Sequence, residues 1–134
     1  EEEKSINQLR VGTSADYPPF EFYQDGEIIG FEIDLMREIA KALQKEYLIK
    51  DIPFESIIGS IQTKRIDFGI SAISPTPERS EKVDFSIPYY QAYTVLLVSP
   101  HSTIQSIDDL AGKTVGVQSG TIYETTVKNE WTNK

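Results

Sequence analysis

Ile66-Asp-Phe-Gly-Ile-Ser-Ala-Ile-Ser-Pro-Thr-Pro-Glu-Arg79 runs from a short apolar alternation into a hydroxyl-rich loop and then into a helix start. Phe68, Ile70 and Ala72 alternate with Asp67, Gly69 and Ser71, a period of two that predicts a strand whose carboxyl end emerges at Ser71 to Ser74. Thr76 fits an N-cap and Pro77 the first helical position, where a missing N–H costs nothing. Backbone N–H groups, hydroxyls and the guanidinium of Arg79 then converge on one small volume. Such a volume suits an anion, and the planar fork of an arginine suits a carboxylate in particular. The plainer reading has Arg79 pairing with Glu78 or Glu81 on an exposed turn, where a surface ion pair carries little energy.

Working outward, the segments on either side alternate in period. Leu9, Val11 and Thr13 mark a first strand that enters Ser14-Ala-Asp-Tyr-Pro-Pro-Phe20. The paired prolines forbid a helix there and hold Tyr17 and Phe20 on an extended loop. Tyr17 reads equally as the floor of a pocket or as a core plug, whereas Phe20 and Phe22 read as core. Asp25-Gly26 signals a hairpin turn. From Asp34, taken as a cap, Leu35, Met36, Ile39, Ala40 and Leu43 form one helical stripe. Tyr47 to Ile52 is a second strand closed by Pro53; Phe54, Ile57, Ile58 and Ile61 mark a second helix ending at Lys64 and Arg65. Strand, helix, strand, helix, strand is the alternation of an α/β layer with a largely parallel sheet. Ligands of such sheets sit beyond the carboxyl ends of the strands, here the loops at Ser14–Tyr17, Pro53–Phe54 and Ser71–Arg79.

Beyond Arg79, Val83 to Tyr90 reads as extended, and the apolar run Ala92 to Val98 as a buried strand. Ser106 and Asp109 are spaced as a capping box closed by Gly112, Thr114 to Gln118 as another strand, and Thr121 with Glu124 as a second box. Ser119-Gly-Thr121 is a second, weaker anion cradle. Residues 1–7 are polar, the acidic triplet reading as a solvated end, with order beginning near Gln8. No internal repeat or low-complexity tract interrupts the chain.

The 134 residues suffice for one compact domain plus an incomplete piece. There is no cysteine, and His101 is the single histidine, so disulfides, thiolate metal sites and histidine clusters are excluded and neither metal nor cofactor is expected. A formal net charge of −8 argues against nucleic acid or an anionic membrane as the main partner. No apolar run reaches the length of a membrane span, and Glu1-Glu2-Glu3-Lys4 lacks the pattern of a signal peptide, so any export signal is expected to have been removed or never to have existed. The acids include no pair with an obvious acid–base task.

Taken together, Gly12-Thr-Ser-Ala-Asp-Tyr-Pro-Pro-Phe-Glu-Phe22, Gly30-Phe-Glu-Ile-Asp-Leu35, Ile66 to Ser71, Thr76-Pro-Glu-Arg79, Val83-Asp-Phe-Ser86 with Pro88-Tyr-Tyr90, and Gly112 to Thr121 follow one another in an order and spacing that resemble the polar amino-acid-binding proteins of bacterial ABC importers, the family 3 solute-binding proteins. The resemblance implies an α/β, type II periplasmic-binding-protein-like first lobe, with a largely parallel sheet flanked by helices, over 8–98. An incomplete second lobe would follow over 99–134. It also implies a periplasmic or otherwise extracytoplasmic protein that closes on a free amino acid, arginine, glutamine or a similar polar type, and then docks on an ABC permease in the membrane.

Carried over by position, the resemblance gives Arg79 the ligand α-carboxylate and Ser74 a supporting hydroxyl and amide. Ser71 and Ala72 would meet the α-ammonium, Tyr17 and Phe54 the ligand side chain, and Thr121 would complete the carboxylate site from the second lobe. Ser14 stands where several members carry an acid. Ala72 replaces a frequent Gly or Ser, and Pro75 a frequent apolar β-former. Family members continue well past Lys134, and one strand and one helix cannot bury a sheet face on both sides, so the incomplete piece is expected to be mobile, to pair with another copy or to pack in a non-family way. A sensory ligand-binding domain of a receptor and a dehydratase-like enzyme on the same fold are the competing functions.

Overall fold

The computed structural model describes residues 7–131; the acidic start over 1–6 and the end over 132–134 lie outside the described residues. The chain forms two compact units, one ending at Phe85 and the other beginning at Ser86.

In the first unit, β1 (Gln8–Thr13) is the centre of a parallel sheet, with β5 (Glu46–Asp51) on one side and β6 (Phe68–Gly69) on the other. A second, antiparallel sheet comprises β2 (Asp16–Tyr17), β3 (Glu21–Gln24) and β4 (Glu27–Ile29). The expected hairpin joins β3 to β4, pairing Phe22 with Ile29. Asp25 and Gly26 both take positive φ, 53° and 86°, the conformation that matches the twist of the flanking strands.

Two helices cover the parallel sheet. Helix α1 (Phe31–Ala42) buries Ile33, Met36 and Ala40, and Met36 and Ala40 join Val11 and Ile70 in the core, with Leu9, Leu35, Ile39, Tyr47 and Ile49 packed around them. Helix α2 (Ile57–Gln62) lays Ile57 against Gly69, where any side chain would collide with it. Neighbouring strand residues face opposite sides, so Gly69 and Ile70 place α2 and α1 on opposite faces of the sheet. The fold is the expected α/β lobe. Arg10 locks β1 to the start of β6 through a bidentate pair with Asp67, Nε to Oδ2 at 3.1 Å and Nη2 to Oδ1 at 3.0 Å.

Three expectations are corrected. Helix α1 begins at Phe31, three residues before the cap assigned to Asp34. Its leading amides are satisfied from the loop before the hairpin: Phe31 N donates to the Pro19 carbonyl and Glu32 N to that of Phe20, both at 3.0 Å, so no capping side chain is needed. Asp34 instead pairs with Arg37 at 2.7 Å. Second, β6 is shorter than Asp67–Ala72. Ladder bonds run from Asp67 N to Ile70 N, but Ala72 takes φ 47° and turns the chain out of the sheet.

Third, the second unit contains no strand among the described residues: neither Ala92–Val98 nor Thr114–Gln118 forms one. An apolar run becomes a strand only when a neighbour accepts its hydrogen bonds. Tyr93, Val95 and Leu97 are instead 81%, 80% and 98% exposed. What does form in this unit is local. A single 3-10 turn over Ile107–Leu110 closes the Ser106–Asp109 capping box, and helix α4 (Ile122–Thr126) runs into a π-turn over Val127–Trp131.

Candidate functional site

The carboxyl ends of β1 and β6 lie side by side, and the residues singled out in the sequence fall around them in two groups. In the first group, Thr76 caps the short helix α3 (Pro77–Ser80), its hydroxyl accepting from Arg79 N at 3.2 Å. This turn throws the Arg79 side chain back over its own loop. Nη1 donates to the Ser74 carbonyl at 2.7 Å, and the guanidinium carbon lies 5.6 Å from the centre of the Phe54 ring, a cation–π contact. Phe54 opens the 3-10 turn Phe54–Ser56 immediately after β5. Burial pulls the Arg79 pKa below its ordinary value, and the negative charge of Glu78 partly offsets this. Glu78 itself pairs with Lys82 at 2.7 Å. The surface-turn reading of Arg79 therefore gives way to a half-buried guanidinium seated between a carbonyl and an aromatic face.

The second group is Ser14, Ser71 and Ala72. Ser14 N donates to Ser71 Oγ at 3.0 Å, and that hydroxyl donates onward to Glu21 Oε1 at 2.9 Å. Ala72 N donates to both carboxylate oxygens of Glu32, at 3.0 and 2.9 Å. The Ser14 hydroxyl donates to Asp16 at 3.3 Å. The Ser71 hydroxyl and the Ala72 amide are thus both engaged within the fold. Tyr17 is 42% exposed and stacks on Phe20 at 5.4 Å, so it is a surface aromatic rather than a plug. Phe20 meets Phe31 edge-on at 6.1 Å.

Thr121 belongs to the second unit. It is buried, its hydroxyl donates to the Gln118 carbonyl at 2.7 Å and accepts from Glu124 N at 3.4 Å. The anion cradle expected there is filled from within, because Gly120 N donates to Glu124 Oε2 at 2.7 Å. That bond and Lys128 hold the Glu124 carboxyl below its usual range, Lys128 contributing more.

Sequence reasoning missed Glu21 and Glu32. Both are buried, at 1% and 0% exposure, beneath the end of β6. They form the acid pair that the sequence does not advertise. Desolvation, then hydrogen bonding and charge from Glu32, push the Glu21 carboxyl up to about 9, with Asp16 adding and the Ser71 hydroxyl opposing. A signal was present: Glu21 stands between Phe20 and Phe22, and Glu32 between Phe31 and Ile33, acids set inside apolar runs.

A parallel three-stranded sheet covered on both faces, with an arginine and hydroxyl-bearing loops gathered at the strand carboxyl ends, defines a lobe of the type II periplasmic-binding-protein class. The profile of the bacterial extracellular solute-binding proteins, family 3, matches residues 9–133, and the chain belongs to that family. Its place is thus outside the cytoplasm, and no helix among the described residues is long and apolar enough to cross a membrane.

The arginine-binding extracellular protein ArtP of Bacillus subtilis (strain 168) is 43% identical over 122 residues, which are 91% of this chain and 48% of ArtP. A Salmonella typhimurium periplasmic binding protein described for its high arginine specificity superposes with a TM-score of 0.88 at 34% identity, covering 94% of this chain and 57% of that one. The arginine-bound form of domain 1 from TmArgBP is 48% identical, with a TM-score of 0.61 over 63% of this chain and 68% of that one. The chain spans about half the length of the curated relatives it matches.

Proposed function

We propose that this polypeptide captures a free polar amino acid, arginine first among them, as the binding component of an ABC importer. The observation that carries this reading is the seating of Arg79 between the Ser74 carbonyl and the Phe54 ring, which pre-sets a partly desolvated fork where a ligand carboxylate would dock. At the neighbouring strand end, the Ser71 and Ala72 carbonyls supply acceptors for the α-ammonium. Tyr17 and the free edge of Phe54 would flank the ligand side chain, planar and cationic in arginine, which suits aromatic faces. Ser14 shapes the floor through Ser71, its N–H donating to that hydroxyl.

Arginine is favoured because the relatives described above carry it in their names, and because the isolated domain 1 of one of them is arginine-bound. That last case supports binding by the first unit's residues. The reading has no chemical step: the acids Glu21 and Glu32 are buried within the fold rather than turned to a ligand. Delivery to a membrane permease belongs to the same proposal, with the family membership as its support.

Calorimetric titration with L-arginine, L-glutamine and L-aspartate is expected to give saturable binding, tightest for arginine and absent for aspartate. Arg79→Ala should weaken arginine by roughly 2–5 kcal/mol while leaving the thermal midpoint in place, the loss typical of removing one partner of a desolvated charge pair. No binding of any of the three would overturn the function, and an unchanged Kd in Arg79→Ala would overturn the carboxylate clamp.

A further inference from the structure

Two buried carboxyl groups, Glu21 and Glu32, meet beneath the end of β6. Among the described residues, the charges acting on Glu21 are those of Glu32 on α1 and Asp16 on β2, both acidic. Glu21 Oε1 accepts from the Ser71 hydroxyl, but Oε2 is buried and has no donor to accept from. Its hydrogen-bonding neighbour is the Glu32 carboxyl, itself an acceptor from Ala72 N. Two acceptors face to face are stable only with a proton between them. Of the two, Glu21 has a buried oxygen with no donor to accept from and is the carboxyl that burial pushes up, which places the shared proton on Glu21.

We propose that Glu21 is a positioning residue of the amino-acid site: as a neutral carboxylic acid it bridges the Ser71 hydroxyl and the Glu32 side chain, and this bracket fixes the Ser71–Ala72 backbone that receives the ligand's ammonium group. The inference rests on the amino-acid-binding function proposed above. Every member of the bracket is tied to the strand end. Glu21 holds Ser71, Ser71 holds Ser14 at the tip of β1, and Glu32 holds Ala72, whose φ of 47° is a conformation that a residue with a Cβ keeps only when its surroundings impose it. Proton loss from Glu21 would remove the donor that joins it to the Glu32 side chain, part the bracket and release Ala72 from that conformation. Binding should therefore fail on the alkaline side.

The test combines calorimetry with L-arginine on the wild-type polypeptide and Glu21→Gln with infrared spectroscopy of the wild type. Glutamine keeps an acceptor for Ser71 and a donor for Glu32 but has no proton to lose. Between pH about 7 and about 10, wild-type affinity should fall about tenfold relative to Glu21→Gln, as expected one pH unit above the titration of a group that must be protonated. The ligand's own ammonium titrates identically in both proteins and cancels in that ratio. The wild type should also show the C=O stretch of a buried protonated carboxyl at neutral pH, lost together with affinity as pH rises and missing from Glu21→Gln.

Parallel pH profiles for the two proteins, or the absence of the protonated-carboxyl band, would overturn the inference while leaving amino-acid binding intact. Should Glu21→Gln not fold, loss of the wild-type band without loss of affinity would overturn it as well. Failure of the wild type to bind arginine, glutamine or aspartate with the band still present would instead sink the functional reading, and the inference with it.

Discussion

Arg79 and Phe54 are 25 positions apart in sequence, and neither has the local signature of a partner for the other. Their contact makes the guanidinium's placement depend on the ring. Phe54→Ala is therefore expected to weaken arginine binding partly through Arg79, and a double-mutant cycle with Arg79→Ala should return a coupling of roughly 0.5–2 kcal/mol. Additive losses would show that the ring serves the ligand directly and Arg79 not at all. Glu21 makes a second prediction at this scale. Its carboxyl titrates higher in the fold, at about 9, than its ordinary 4.5, so between those values the folded chain holds a proton that the unfolded chain has released. The stability linked to that proton is full below about pH 4.5, falls as pH climbs, and is gone above about 9. Urea midpoints measured across this range should decline with pH in the wild type and decline less in Glu21→Gln; equal slopes would mean that the proton does not reside on Glu21.

At the scale of elements, the start of α1 shows where a helix takes its boundary from tertiary contacts. Gly30 has φ 133°, and a Cβ there would strike the Phe20 carbonyl that accepts the Glu32 amide. Gly30→Ala is expected to cost roughly 1–3 kcal/mol in backbone strain, with the collision adding to it, and to loosen Glu32 beneath the site. An unchanged urea midpoint would mean that the loop relaxes freely. The period-two and helical stripes of β1, α1, β5 and α2, and the Asp25-Gly26 turn, were legible because each is written in residues a few positions apart. The cap of α1 was not, because the acceptors at Pro19 and Phe20 reach it through a folded loop. Glu21 and Glu32 were invisible as a pair for the same reason: eleven positions separate them, and only the packing of β3 against α1 turns two ordinary acids into one buried, proton-sharing group. Arg79, Ser71 and Ala72 were singled out as candidate site residues through the resemblance, whereas the use of the Ser71 hydroxyl and Ala72 amide inside the fold was not legible.

At the scale of the whole molecule, the two units differ in how their apolar residues are used. The first gathers Val11, Met36, Ala40 and Ile70 into a core, whereas the second leaves Ile87, Tyr93, Val95 and Leu97 between 80% and 98% exposed along a stretch that forms no strand. The sequence misleads here because Ala92 to Val98 has every local property of a strand and lacks only a neighbour, which no local pattern can supply. Such a segment presents both apolar side chains and a free edge, and an edge of this kind recruits another. The polypeptide is therefore expected to self-associate, each large apolar side chain removed from water contributing about 1.5–3 kcal/mol. Sedimentation equilibrium should show the average mass rising with concentration. Val95→Lys with Leu97→Lys should return it to the monomer while leaving arginine binding by the first unit unchanged, because the substitutions add charge to the exposed stretch and lie outside the first unit. A mass that stays monomeric in the wild type at every concentration, or association undiminished by the two lysines, would show that this stretch does not mediate contact between copies.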